Sequence, residues 1–188
     1  MSKLSSRRIA FYGVLSALMF VFLLIETYLF TAFFGSFTPA ILTLPLAVAL
    51  STFLGKKSAL VGGTIFGCCS FVLAVIIANP IFINPLISIF PRIFIGIVAY
   101  GVYQLFGAIF KDKQESKNWQ IARASISGAF GILTNSVCTI FMMWLFEQAQ
   151  IAMVLTTIIS INFVAEIIGA MVLVPIYQKA LLKIRNKL

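Results

Sequence analysis

Six apolar stretches separated by short connections decide what this chain can fold into. They run at about 9–30, 39–54, 58–78, 85–110, 120–146 and 152–177. A helix that crosses a bilayer needs roughly 20 predominantly apolar residues. All but the second stretch reach that length, with some to spare for tilt. The second is short and carries Pro39 and Pro45, so a kinked or tilted helix is expected there. A water-soluble domain of 188 residues has no use for a chain that is 61% hydrophobic and 10% charged, with a mean hydropathy of +1.08. Its exterior would have to meet water. The expectation is an all-α integral membrane protein: one transmembrane domain over 1–188, six transmembrane helices, and a proline-distorted entry to the fourth.

The charges then orient it. The net charge of +9 suggests a nucleic-acid partner until the positions are read. Lys3, Arg7 and Arg8 precede the first stretch, and Lys56 and Lys57 separate the second from the third. Lys111, Lys113, Lys117 and Arg123 surround the connection between the fourth and fifth, while Lys179, Lys183, Arg185 and Lys187 form the tail. The alternate connections, near 31–38, 79–84 and 147–151, hold no Lys or Arg. Basic residues collect on the cytoplasmic side of membrane proteins, so both termini and the 111–117 connection are expected inside a bacterial plasma membrane. Contact with membrane lipid, and no nucleic acid, follows. The first stretch exceeds a typical signal-peptide core and contains Glu26, so it reads as an uncleaved span.

Familiar catalytic chemistry is missing. Without histidine there is no Ser-His-Asp, Cys-His or HExxH arrangement. Cys68, Cys69 and Cys138 lie inside predicted spans without a CxxC pair, which gives no metal site and no cofactor. Paired aspartates are impossible because Asp112 is the only Asp. No GxxxxGK[ST] loop is present, so the chain does not hydrolyse ATP in the P-loop manner. Its longest basic connection, KDKQESKN, is too short for a folded domain. These absences favour binding or transport over enzymatic catalysis.

What remains is a small set of polar groups at membrane depth. An ionisable side chain inside a bilayer costs about 2.5–3.5 kcal/mol on insertion scales, so each one asks for a reason. Arg92 follows Pro91 and sits about 10 Å below the outer end of its span, counting about 1.5 Å per residue. Glu26 lies about 6 Å from the outer end of the first span, at similar depth. Either the two neutralise each other, or Arg92 offers its planar fork to a carboxylate or phosphate arriving from outside. Glu166, about 20 Å along the last span, is expected to pair with Arg123 near the inner end of the fifth. Pro80 and Pro85 bracket the external 79–84 segment. Pro91 removes a helix donor, and non-helical backbone at this depth is tolerated where it lines a cavity. Carbonyls freed there, near Asn84, would accept from ligand hydroxyls or amides. Asn135 and Asn162 fall near mid-membrane and serve either helix–helix contact or a ligand. Tyr28 and Tyr100 are weaker candidates, as interface anchors or packing.

Small residues form a second pattern. Ala10, Gly13 and Ala17 recur at helical spacing on the first span, and Gly63 and Gly67 do so on the third. Gly96, Gly101 and Gly107 thin the fourth. Such stripes admit close helix approach, within the protein or with a partner.

The stretch NPLISIFPRIFIGIVAYGVY at 84–103, in a chain with this span pattern and a small-residue stripe on its first span, resembles the substrate-binding S component of energy-coupling factor transporters. The likeness runs from Arg8 to about Tyr177 and is sharpest over ISIFPRIFIG, which is most similar to the pantothenate-type branch. The resemblance implies a vitamin-binding subunit served by a transmembrane coupling protein and two ATPase subunits. The family's AxxxA-type stripe would correspond to Gly13 and Ala17, with Ala10 one turn before, facing the coupling protein. The family is thought to topple in the membrane, and here the connections at 33–37 and 79–84 would close over the pocket. Pantothenate suits the residues. Its carboxylate would meet Arg92 beside Glu26, and its hydroxyls and amide would meet Asn135, Asn162 and the backbone near Asn84, with Tyr100 nearby. Folate, riboflavin or another small vitamin is the alternative ligand, and a non-transporting membrane scaffold subunit is the alternative class.

Overall fold

The computed structural model describes residues 6–34, 39–53, 55–110, 116–146 and 149–185. Among them the chain is all helix: α1 Ser6–Phe34, α2 Thr43–Phe53, α3 Lys56–Ile76, α4 Pro85–Ser88, α5 Phe90–Ile109, α6 Lys117–Phe146 and α7 Ala149–Arg185. Helices α1, α3, α6 and α7, and α4 with α5 taken together, supply five segments long and apolar enough to cross a membrane. The protein is a multi-pass membrane protein.

The second apolar stretch is the exception. Its helix has only 11 residues, about 16 Å at 1.5 Å per residue, roughly half the hydrocarbon core. Pro39 falls before the helix and Pro45 in its first turn, where a missing N–H costs no intrahelical bond. Every residue from Thr43 to Thr52 is buried. A helix apolar all round belongs in a core, and α2 packs against α1, α3, α5, α6 and α7. A short central rod among long ones fills only part of the bundle's height. The space beyond its N-terminal end is where the cavity described below lies.

The long helices enclose α2 through single stripes at helical spacing. On α1 the buried residues are Phe11, Leu15, Met19, Leu23 and Glu26, while Val14, Leu18, Val21 and Ile25 face outward. On α7 the buried line runs Asn162, Glu166, Ala170, Val174, Gln178 and Leu181. One face of that helix thus reaches from the cavity to the opposite end, where Gln178 donates to Thr52 Oγ1 at 2.7 Å.

Helices α3 and α5 lie almost backbone to backbone. A Cβ on Gly63 would collide with the Arg92 carbonyl and stand 3.0 Å from Ile93 Cα, and one on Gly96 would collide with the Ala59 carbonyl. The absent side chains let α5 sink against α3 and fix the position of Arg92.

Candidate functional site

A cavity of about 650 Å³ lies over the N-terminal end of α2. Each surrounding helix contributes residues three or four apart, which share a face: Leu23, Thr27 and Thr31 on α1, Phe66, Ser70 and Leu73 on α3, Asn135, Thr139 and Met143 on α6, and Ile159, Asn162 and Glu166 on α7. The 79–82 segment adds Asn79 and Phe82. Asn79 Oδ1 accepts from the Ile81 and Phe82 amides at 3.2 and 3.4 Å, holding that turn.

Arg92 enters from α5 and is 7% exposed. Its position follows from Pro91. A helical residue at 91 would donate its N–H to the carbonyl four residues back, at Ile87, but proline has no N–H. The chain breaks at Ile89 between α4 and α5, and Arg92 Nη1 donates to the Ile87 carbonyl at 2.8 Å. The arginine therefore satisfies the carbonyl that its neighbouring proline leaves bare. This corrects the expectation that carbonyls freed there await a ligand. Nη1 also lies 3.4 Å from Thr139 Oγ1. The guanidinium carbon stands 5.8 Å from the centroid of the Phe66 ring and 5.4 Å from that of Phe82, within cation–π range. Nε is buried without a partner. Nη1 is committed, and Nε lies on the edge of the fork whose geometry matches a carboxylate.

The unpartnered polar atoms concentrate here. Among the described residues, five buried side-chain N or O atoms lack a partner: Arg92 Nε, Asn135 Oδ1, Ser136 Oγ, Asn162 Oδ1 and Trp119 Nε1. The first four belong to residues that line the cavity. Native proteins leave few such groups, because each costs about 1–3 kcal/mol. Four of the five thus gather on one cavity.

The two buried carboxylates behave differently. Glu26, 3% exposed, accepts from the Leu42 and Thr43 amides through Oε1 and from Thr43 Oγ1, at 2.5 Å, through Oε2. It anchors the start of α2, where free N–H groups and the helix dipole favour an anion. Its partners do not include Arg92, so of the two alternatives for these charges the Arg92–Glu26 pair is not formed. Glu166 does not pair with Arg123 either. Arg123 donates through Nε to the Tyr103 carbonyl at 2.5 Å and lies over the Tyr103 ring at 3.6 Å. Glu166 instead lines the same cavity as Arg92 and accepts from the Ala40 amide at 3.0 Å.

Over an alignment 207 positions long, gaps included, that covers 99% of each chain, the sequence is 25% identical to the pantothenic acid transporter PanT of Lactococcus lactis subsp. cremoris (strain MG1363). No family model matches the chain.

The structure brings Arg92, Asn135 and Asn162 onto one cavity, and sets Asn84, Tyr100 and Glu26 outside its lining. Asn84 caps α4, its Oδ1 accepting from the Leu86 amide at 3.0 Å. Tyr100 is half-buried on α5, and Tyr28 is exposed on α1. Ser136, Thr139 and Glu166 are cavity residues that sequence reading left out. The first two are signalled by their spacing from Asn135, and Glu166 lies one turn beyond Asn162. Of the small-residue stripes, Gly63 and Gly67 pack internally against α5 and the Ile89 break. Ala10, Gly13 and Ala17 are exposed, and a Cβ on Gly13 would meet nothing within 4 Å. Residues 35–38 and 111–115 lie outside the described residues, so most of the 33–37 and 111–117 connections do too.

Proposed function

We propose that this chain is the substrate-binding S component of an energy-coupling factor vitamin importer, binding pantothenate in the cavity over α2. The observation that carries this is the unpartnered Nε of Arg92 in a cavity that also holds the unpartnered atoms of Asn135, Ser136 and Asn162. A small acid with further hydrogen-bonding groups completes all four. Pantothenate has one carboxylate for the guanidinium, and an amide and two hydroxyls for the side chains of α6 and α7. Its gem-dimethyl carbon suits Leu23, Leu44, Leu73 and Met143. Likeness to a pantothenic acid transporter along the full chain supports the same ligand. A cavity of about 650 Å³ lies within the range of roughly 300–1,000 Å³ usual for small-molecule sites.

In this reading the protein sits in the bacterial cell membrane with both termini inside. It passes its ligand inward through a transmembrane coupling protein driven by two ATPase subunits. The exposed Ala10, Gly13 and Ala17 face is offered to that coupling protein, since a stripe without side-chain bulk admits a helix at close range. Glu26 and Asn84 serve as helix anchors and Tyr100 as packing, rather than as ligand contacts. The test is equilibrium binding of labelled pantothenate to the purified protein, together with mass spectrometry of any small molecule it retains.

A further inference from the structure

Glu166 is 8% exposed, lines the same cavity as Arg92, and accepts a hydrogen bond from the Ala40 amide at Oε1. Arg123 is committed to Tyr103 and Arg92 Nη1 to Ile87 and Thr139. Glu26, by contrast, has both oxygens engaged at the start of α2. A carboxylate offers about four acceptor sites on two oxygens, and the Ala40 amide takes one of them, on Oε1. An ionisable group at membrane depth is costly, and such residues mark binding sites and pathways. Asn162, one turn earlier on the same face of α7, points an unpartnered Oδ1 at the same cavity.

Both groups accept hydrogen bonds, whereas the Arg92 edge only donates. The cavity is therefore polar in a directed sense: an acid is received on the α5 side and a donor on the α7 side. We infer that Glu166 is a specificity-determining residue that accepts a hydrogen bond from a hydroxyl at the end of the ligand remote from its carboxylate. This rests on the pantothenate-binding reading above and adds the requirement that the ligand be a hydroxy acid, not merely an acid. The Ala40 amide holds the carboxylate in place. A hydroxyl suits the site better than an ammonium, since Arg92 and Glu166 already face the cavity with opposite charges.

The test crosses a protein change with a ligand change. The full-length protein and Glu166→Gln, which keeps an oxygen for Ala40, are titrated with pantothenate and with an analogue whose most remote hydroxyl is replaced by hydrogen. A hydrogen bond to a charged group is worth about 10- to 150-fold in affinity. The parent protein should lose about that factor for the deoxy analogue. Glu166→Gln should lose a similar factor for pantothenate and little more for the analogue. Three results overturn the inference: the parent binds both ligands equally, the variant weakens both equally, or an analogue with an ammonium in place of that hydroxyl binds more tightly than pantothenate. If Glu166→Gln fails to fold, the comparison of ligands on the parent protein decides alone. A parent protein that binds no pantothenate refutes the underlying reading instead, which keeps the two failures distinct.

Discussion

Replacing Arg92 separates its two duties. Nη1 supports the Ile87 carbonyl at 2.8 Å, and Nε, left without a partner, is proposed to serve the ligand. Arg92→Ala removes both. Leaving the buried Ile87 carbonyl unpartnered should cost about 1–3 kcal/mol of stability. Losing the partner of a desolvated carboxylate should cost about 2–5 kcal/mol of binding, or roughly 30- to several-thousand-fold in affinity. Arg92→Lys discriminates between the duties. An ammonium reaches Ile87 and keeps the charge, but it is a point donor without a fork. Stability should be nearly retained, while binding weakens by about 10- to 150-fold, the worth of one charge-assisted hydrogen bond. The assay is calorimetric or radioligand titration of each variant in detergent, with thermal unfolding alongside. A neutral pantothenamide should lose far less than the acid. The reasoning fails if Arg92→Ala folds and binds pantothenate as tightly as the parent, or if acid and amide weaken equally.

The remaining predictions concern the backbone, the partner face and the orientation. Pro91→Ala restores an N–H that competes with Arg92 for the Ile87 carbonyl, so thermal stability should hold or rise while affinity falls on the order of tenfold, about 1.4 kcal/mol; unchanged affinity would detach the helix break from the site. Gly13→Leu with Ala17→Leu should abolish uptake in cells and leave ligand binding by the isolated protein intact, because a Cβ on Gly13 touches nothing within its own chain; loss of binding as well would assign the stripe to folding. In a cysteine-free background, an impermeant thiol reagent applied outside should label Pro80→Cys and spare Gln114→Cys, and the reverse pattern would invert the topology.

Much of this was legible in the sequence because membrane depth makes polar residues conspicuous. Arg92, Asn135 and Asn162 stand out against apolar neighbours, and all three reach the cavity. Ser136 and Thr139 do not stand out, since small hydroxyls bond to their own helix as readily as to a ligand; only helical spacing from Asn135 marks them. Glu166 and Arg123 were matched by depth alone, which says nothing of rotation: Arg123 lies over the Tyr103 ring, whereas Glu166 shares the cavity face of α7 with Asn162. The Arg92–Glu26 pair, one of two alternatives drawn from opposite charge and similar depth, does not form. Glu26 meets a stronger local demand, the unsatisfied amides at the start of α2, which only the fold brings within reach. Asn84 sits before a proline at a helix start, and its capping role follows from that position more directly than a ligand role does.

The central claim is that the cavity over α2 takes a small acid through Arg92, and one titration tests it. Labelled pantothenate is equilibrated with the purified parent protein and with Arg92→Lys, and bound label is displaced with unlabelled vitamin. The account predicts saturable binding at one site per chain, displaced by pantothenate and weakened at least tenfold in the variant. Absence of saturable binding, or equal affinity in the two proteins, would contradict it.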